Sequence, residues 1–324
     1  MPDAVRAAGV LPPRVLTALS AAEVGAVEAL VARAAEADGG HPLSEASLLA
    51  LRDPSAGAHH VLVGAATDDG ADHGADGPHV VVGYAQLPST GGAELLVDPR
   101  ARRAGLGGLL AAQLEELAGS RELEVWAHGG SAGAAALARR RGYAPVRELQ
   151  HRRRDLGPAA PLPPLEIPDD VALRAFEVGR DEQAWLDLNA RAFASHPEQG
   201  RWTADDLAAR TAEPWFDPAG LLLAVDAQRG RLLASHWTKA EGPETDRAGE
   251  VYVVAVDPAA QGRGLGRAVV LAGLHHLDTA GCRSVELYVE ADNAAAVRLY
   301  ERLGFGLDAS DVLYRRGASE PVAD

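Results

Sequence analysis

The stretch VYVVAVDPAAQGRGLGRAVV, residues 251–270, places a turn of glycine and arginine between two apolar runs of different period. The first run predicts a strand that Pro258 ends, and the second predicts a helix. The first-turn amides of such a helix have no intrahelical partner, glycine lets the backbone approach a ligand closely, and Arg263 adds positive charge. The turn from Gln261 to Gly266 therefore predicts a site for the phosphates of an anionic cofactor.

Two other phosphate-binding motifs fail at named positions. A dinucleotide fingerprint that begins at Gly262 requires a third glycine where Arg267 stands. A Walker loop requires Gly-Lys followed by Ser or Thr, and the only lysine of the chain, Lys239, precedes Ala240. A helix start that uses glycine only for tight packing is the simplest alternative. It weakens because the same strand, turn and helix pattern occurs twice in the chain.

Length, charge and composition limit the remaining classes of protein. The chain has 324 residues, enough for one to two domains, and a net charge of -15. That charge argues against a nucleic-acid partner and is compatible with a small cationic substrate. A single cysteine, Cys282, excludes an internal disulfide, and no metal is expected. Because neither a signal peptide nor an apolar run of membrane length is recognised, we expect a cytoplasmic protein without a membrane partner. We also expect a monomer.

The two halves of the chain resemble each other. Three landmarks recur in one order: Asp98-Pro99 with Asp257-Pro258, Gly142-Tyr143 with Gly304-Phe305, and His41-Pro42 with His196-Pro197. Their separations are nearly constant, at about 155 to 162 residues. This predicts the duplication of a whole domain rather than a short-period repeat.

Strand and helix patterns in each half predict an α/β (α+β layered) fold with two tandem domains, each a mixed central sheet flanked by helices. The proline-rich segment 155–170 is interpreted as a linker. The predicted organisation is therefore an N-terminal domain at 1–154, the linker, and a C-terminal domain at 171–324. An acidic, glycine-rich insert at 64–79 is interpreted as a surface loop of the first domain.

The turn after a strand, followed by the segment NAAAVRLYERLGF, resembles the GNAT superfamily of acetyl-CoA-dependent N-acetyltransferases. The resemblance implies that the strand before the turn binds the pantetheine of acetyl-CoA and that the turn binds its pyrophosphate. The residues implied in the second half are Val254, Ala255, Val256, Gln261, Gly262, Arg263, Gly264, Leu265, Gly266, Arg267, Asn293 and Arg298. In the first half they are Leu95, Leu96, Val97, Arg102, Arg103, Gly105 and Gly107.

Over residues 10–315 the chain also resembles a narrower family of tandem-domain GNAT enzymes, the mycothiol synthases, through RAFASHPEQGRWT, WFDPAG, GEVYVVAVDP and LYVEADNAAAVRLYERLGF. Members of that family acetylate the cysteinyl amine of desacetylmycothiol. The resemblance implies substrate contacts at Glu45, Glu198, Lys239, Glu250 and Tyr288. Each of these residues alone is more often a surface charge or, for the tyrosine, a packing residue.

Acetyl transfer to an amine requires a group that accepts a proton and a group that protonates the departing thiolate. Tyr300 falls in the apolar arc of the last predicted helix, so its phenol is expected to point inward, where packing is the alternative role. The resemblance implies that it protonates the thiolate. Glu250, at the start of the strand that leads to the turn, is implied as the base, with a surface glutamate as the alternative.

The first half lacks part of this set, since Ala138 and Ala104 align with Tyr300 and Arg263. We interpret it as a degenerate domain that retains the glycines of the turn. Two alternatives to an N-acetyltransferase stay open: a serine hydrolase using Ser131, which lies in a Gly-x-Ser-x-Gly pattern, and a non-catalytic acyl-CoA-binding protein. A GNAT enzyme for another small amine or for a protein N-terminus is the nearest alternative within the family.

Overall fold

The computed structural model describes residues 9–65, 80–194 and 199–317. By contacts the chain divides into two units, residues 1–149 with 309–324 and residues 150–308. The predicted boundaries at 154 and 171 follow the proline-rich segment between them rather than contacts, and they stay a prediction. The acidic insert lies outside the described residues except for Gly64 and Ala65, which end a strand.

The first unit contains β1 (Arg14–Leu16), α1 (Ala21–Asp38), α2 (Glu45–Ala50), β2 (His59–Ala65), β3 (Val80–Leu87), β4 (Ala93–Val97), α3 (Leu106–Ala118), β5 (Leu123–Ala127) and α4 (Ala132–Arg140). Strands β1 to β4 pair antiparallel in sequence order, and β4 pairs in parallel with β5. Strand β6 (Ala144–Asp155) begins in this unit. The end of β12 (Gly306–Arg316) belongs to it because Val312–Arg316 pair antiparallel with β5.

The second unit repeats this arrangement. It contains β7 (Val171–Ala175), α5 (Glu182–Ala192), α6 (Ala204–Thr211), β8 (Leu221–Asp226), β9 (Leu232–Glu241), β10 (Ala248–Val256), α7 (Leu265–Thr279), β11 (Ser284–Glu290) and α8 (Ala294–Arg302). Strands β7 to β10 pair antiparallel, and β10 pairs in parallel with β11. The mixed sheets flanked by helices confirm the predicted fold class, and α6 begins with a capping box between Thr203 and Asp206.

Helices cover both faces of each sheet. Successive side chains of a strand point to opposite faces, and on these strands the side chains on both faces are apolar. In the first unit, Val61 and Val63 pack with α3, while Leu62 packs with α1. In the second unit, the α5 and α6 side contains an aromatic cluster around Trp237, which is fully buried. Burial of such a side chain stabilises the fold by about 1.5–3 kcal/mol for each large apolar group.

Matching local contacts confirm the predicted duplication. Asp98 and Asp257 both cap a short 3₁₀ turn after the parallel strand, and each accepts from an arginine of the preceding helix region, Arg33 at 2.7 Å and Arg191 at 3.0 Å. Seven residues after each aspartate, a glycine in the left-handed region, Gly105 or Gly264, precedes the crossover helix. The same backbone path is therefore built twice from similar local signals.

Residues 156–170 contain no strand or helix, and they pack along the second unit. The Arg154 guanidinium donates to the Ala160 carbonyl at 3.0 Å, and the His275 ring lies 3.0 Å from the Pro163 carbonyl. Leu162 packs against the cluster that contains Tyr300. The segment predicted as a linker is thus attached along α7 and ends beside the start of that helix.

Candidate active site

The glycine turn of the second unit leaves open space in front of a helix start. Gly262 and Gly264 have φ of 78° and 79°, in the left-handed region that glycine adopts without strain. A Cβ at either position would meet no protein atom within 4 Å. Helix α7 begins at Leu265, and Gly264 provides no side-chain cap for its first-turn amides. Uncapped amides facing open space fit an anionic group such as a pyrophosphate.

Strands β10 and β11 diverge beside this turn. They pair in parallel at Ala248, Gly249 and Glu250, whereas the pairing of β10 with β9 continues to Val256. Among the described strands, β10 therefore has no partner on its β11 side beyond Glu250. An extended ligand can bind such an edge through main-chain hydrogen bonds, as an added strand does. The predicted residues Val254–Val256 lie on this edge, which fits an arm such as pantetheine.

The two arginines of the turn are paired with carboxylates of the segment 156–170. Arg263 Nη2 lies 2.5 Å from Asp170 Oδ2, and Arg267 Nη1 lies 3.5 Å from Glu166 Oε2. All four side chains are substantially exposed. Exposed ion pairs contribute only about 0–1 kcal/mol, so both guanidinium groups can exchange these partners for a phosphate at little cost.

The other residues predicted to bind the cofactor are placed in different ways. The Leu265 side chain is buried in the core, so only its backbone faces the turn, while Gln261 is exposed. Asn293 caps α8, its side chain accepting from the Ala296 N–H at 3.2 Å. Arg298 is exposed on the same helix. A phosphate group can therefore contact the backbone of the turn more directly than it can contact the side chains around the turn.

Tyr300 is held inside the second unit, as its helical position predicts. The side chain is 7% exposed, and its ring lies edge-on to Phe305 with centroids 5.6 Å apart. It belongs to the same apolar cluster as Val251 and Val254 of β10. Burial raises the pKa of the phenol to about 12, so it stays protonated at neutral pH and retains a proton to donate.

Glu250 and Lys239 are directly paired residues of β10 and β9 and therefore lie on one face of the sheet. Lys239 Nζ lies 3.9 Å from Glu250 Oε2 and 2.7 Å from Glu241 Oε2. Burial raises the pKa of Glu250; the Lys239 charge opposes that rise, and the Glu286 and Glu241 charges add to it. A carboxyl with a raised pKa is a better proton acceptor than an ordinary surface glutamate.

Sequence reasoning missed a second charged pair on this face, His151 with Glu286. The His151 ring places Nε2 3.1 Å from Glu286 Oε2 and Nδ1 3.0 Å from Asp308 Oδ2. It also stacks on the predicted substrate residue Tyr288, with ring centroids 4.9 Å apart. One signal pointed to Glu286, because it lies two residues before Tyr288 on a strand and so shares its face. Nothing in the sequence linked His151 to either residue.

The predicted substrate residues in other parts of the chain are less informative. Glu45 is the exposed first residue of α2, whose N-cap Ser44 donates its backbone N–H to buried Glu94 at 2.9 Å. Glu198 lies outside the described residues. Roles for these two glutamates stay predictions.

A cavity of about 930 Å³ is lined by residues of the first unit. It is lined by all seven residues predicted there, Leu95, Leu96, Val97, Arg102, Arg103, Gly105 and Gly107. Arg102 forms a two-point ion pair with Asp38, at 2.8 and 2.6 Å, and both side chains are exposed like those of the Arg263 pair. Arg103 has φ of 67° at the position that Gly262 occupies in the second unit, a conformation that strains a residue with a side chain. The cavity therefore lies where the repeat predicts a cofactor site, but the turn beside it differs from that of the second unit.

Ser131 also lines this cavity, and its local contacts give it a structural role. Its side chain accepts from the Ala134 N–H as the N-cap of α4, as Asn293 does for α8. The nearby His128 has Nδ1 2.9 Å from Asp311 Oδ2 and Nε2 3.6 Å from Glu94 Oε1. Both ring nitrogens thus face carboxylates rather than the serine, which disfavours a serine hydrolase.

Comparison with known proteins places these features among acetyltransferases. Residues 183–305 match the family model described as Acetyltransferase (GNAT) family. A mycothiol acetyltransferase of Geodermatophilus obscurus is 53% identical, with 92% of this chain and 96% of the relative covered, and one of Salinispora arenicola is 50% identical, with 91% and 93% covered.

Two solved structures share the fold across nearly the whole chain. A GCN5-related N-acetyltransferase from Sphaerobacter thermophilus superposes with a TM-score of 0.68 and 27% identity, covering 99% of this chain and 98% of that one. A tandem GNAT protein from the clavulanic acid biosynthesis pathway superposes with a TM-score of 0.63 and 21% identity, covering 96% and 100%. Among the described residues, no helix has the length and apolarity needed to cross a membrane, and no group of His, Cys, Asp or Glu is arranged to hold a metal ion.

Proposed function

Since the chain belongs to the mycothiol acetyltransferase family of GNAT enzymes, we propose that it transfers the acetyl group of acetyl-CoA to the cysteinyl amine of desacetylmycothiol. It is an acetyl-CoA-dependent N-acetyltransferase built from two GNAT domains. The identity of the acceptor amine and the role of each residue are proposals. The observation that supports the second unit as the catalytic one is its complete set of parts: the open glycine turn, the diverging strands, Glu250 and Tyr300.

The second unit offers acetyl-CoA an edge and a turn. The edge of β10 at Val254–Val256 would hold the pantetheine, and the backbone of Gln261–Arg267 would hold the pyrophosphate. When bound, acetyl-CoA supplies the acetyl group as a thioester whose sulfur leaves as a thiolate. Arg263 and Arg267 would then exchange Asp170 and Glu166 for phosphate oxygens.

Glu250 is proposed as the proton acceptor for the amine. An amine attacks a thioester only in its neutral form, so a base near the ammonium is required. The raised pKa of Glu250 brings it closer to that task, and its exposed fraction, 24% of the side chain, leaves access for a substrate or a water. Lys239, Glu45, Glu198 and Tyr288 are proposed to contact the acceptor.

Tyr300 is proposed as the proton donor to the departing thiolate. Its phenol remains protonated at neutral pH because burial disfavours the phenolate. The first unit has Ala138 at the aligned position, so we propose that it retains a cofactor-like cavity without the acid. A cytoplasmic location and a monomeric state remain part of this proposal.

A panel of acceptors with acetyl-CoA tests the proposed substrate. Desacetylmycothiol, cysteine, glucosamine and a peptide with a free N-terminus are compared by kcat/KM, with the N-acetylated product quantified by mass spectrometry as the readout, because two of these acceptors carry thiols of their own. We expect desacetylmycothiol to give the highest value. A preference for the peptide N-terminus would reject this acceptor and leave the N-acetyltransferase activity in place.

Replacing Glu250 by Gln tests the base. A carboxylate accepts a proton only when ionised, so kcat/KM of the wild type falls as the pH drops through the pKa of Glu250, which lies above its ordinary value. In Glu250→Gln this acid limb should move or vanish, and kcat should fall by roughly 10²-fold or more. Ionisation of the substrate amine adds its own limb, so both proteins are compared with the same acceptor. An unaltered limb would remove Glu250 from the mechanism.

A further inference from the structure

A row of charged side chains crosses one face of the sheet in the second unit. Glu250 pairs with Lys239 on β9 and with Glu286 on β11, and paired residues of neighbouring strands share a face. His151, on β6, continues the row through its 3.1 Å contact with Glu286. Asp308 closes it on the other ring nitrogen of His151. The carboxylates of Glu250 and Glu286 thus lie side by side at the centre of the row, with Lys239 beyond Glu250 and His151 beyond Glu286.

Adjacent carboxylates affect each other's ionisation. The negative charge of Glu286 raises the pKa of Glu250, while the positive charges of Lys239 and His151 lower it. Without a counter-charge, Glu286 would also compete with Glu250 for the ammonium of the substrate, since both carboxylates lie on the same face. If Glu250 alone is to accept the proton of the ammonium, a cation has to pair with the Glu286 carboxylate.

His151 has the geometry of an imidazolium that does this. Each of its ring nitrogens lies within about 3 Å of a carboxylate oxygen, and only the doubly protonated ring can donate to both. The hydrogen bond to Glu286 raises the pKa of His151 above its ordinary value, although partial burial opposes the rise, and the Asp308 charge adds to it. The ring also stacks on Tyr288, which restricts the orientation of that side chain.

We propose that His151 is a positioning residue for acetyl transfer, which neutralises and holds Glu286 so that Glu250 alone serves the amine, and which orients Tyr288 by stacking. This inference rests on the proposed role of Glu250 as base. The titratable and charged groups described around this row include Lys239 and Glu241 on β9, Glu250 and Tyr252 on β10, Glu286 and Tyr288 on β11, and Asp308 at the start of β12.

The test is the pH dependence of kcat/KM with desacetylmycothiol and acetyl-CoA in three variants. In His151→Gln, loss of the cation should move the acid limb to higher pH by about half a unit, a fraction of the effect of a directly adjacent charge. In Glu286→Gln, loss of the anion should move it to lower pH. In the double variant the two opposite shifts should largely cancel, because the charges act on Glu250 in opposite directions and their effects add. His151→Lys, which keeps a cation, should return the limb toward that of the wild type.

A second measurement needs no turnover. NMR titration of the imidazole protons, with the His151 signal assigned by its absence in His151→Gln, should give a lower His151 pKa in Glu286→Gln than in the wild type. An unmoved limb in both folded single variants, or an unchanged His151 titration, would overturn the inference. If Glu250→Gln keeps its acid limb, the proposed base fails instead, and the His151 titration still decides whether the pair exists.

Discussion

Replacing Tyr300 by Phe is expected to lower kcat by roughly 10² to 10⁴, the range typical of a lost general acid. The change removes only the hydroxyl, so the ring still packs on Phe305 and fills the same space in the cluster around β10. Acetyl-CoA affinity should be nearly unchanged, because the phenol is proposed to act on the departing sulfur and the turn to bind the phosphates. Steady-state kinetics, together with direct binding of acetyl-CoA, separate the two effects.

The control for this variant is its thermal unfolding, since Tyr300 is also a core residue. A melting temperature close to that of the wild type shows that any loss of rate is chemical. If kcat is unchanged under conditions where the chemical step limits the rate, Tyr300 is a packing residue and another group protonates the thiolate.

Replacing Gly264 by Asp is expected to abolish catalysis nearly completely. Gly264 has φ of 79°, and the space beyond its Cα is open. An aspartate there would extend a negative charge into the space in front of the α7 amides, where it blocks close approach and repels a pyrophosphate. The readout is kcat/KM for acetyl-CoA, with direct binding as a second measurement.

Two matched variants separate charge from backbone strain and one unit from the other. Gly264→Asn has almost the same shape without the charge, so it should keep more activity than Gly264→Asp. Gly105→Asp makes the equivalent change at a helix start of the first unit, where φ is 90°, and should spare turnover if the protein melts normally. Loss of activity in a folded Gly105→Asp protein, with activity intact in Gly264→Asp, would place catalysis in the first unit.

Much of the fold could be predicted because its signals are local. The strand before Pro258 and the glycine turn after it depend on a few neighbouring residues and were found as expected, and the capping box at Thr203 is a local signal of the same kind. The repeat added a second copy of the same signals, so that Asp98 and Gly105 were predicted from Asp257 and Gly264. Local signals also placed the Tyr300 phenol inward, since a helical period of 3.6 residues relates it to its apolar neighbours.

The charged row could not be predicted in the same way. His151 and Glu286 are 135 residues apart in the chain, and only the order of the strands brings them within hydrogen-bonding distance. The pairing of Arg263 with Asp170 also depends on how residues 156–170 lie along α7. A side chain on a strand has a predictable face but an unpredictable neighbour, because the neighbour belongs to whichever strand the topology places beside it.

The sequence by itself determined which groups are available to this protein: a glycine turn suited to phosphates, a carboxylate at the start of a strand, an inward phenol, and a first domain that keeps the glycines of the turn but lacks the phenol. Periodicity and backbone conformation control those features over short distances. Only the tertiary structure decided which charges meet, and therefore in which direction the pKa of Glu250 is shifted. Electrostatic interactions depend on separation in space and on burial, and neither quantity is contained in the spacing of residues along the chain.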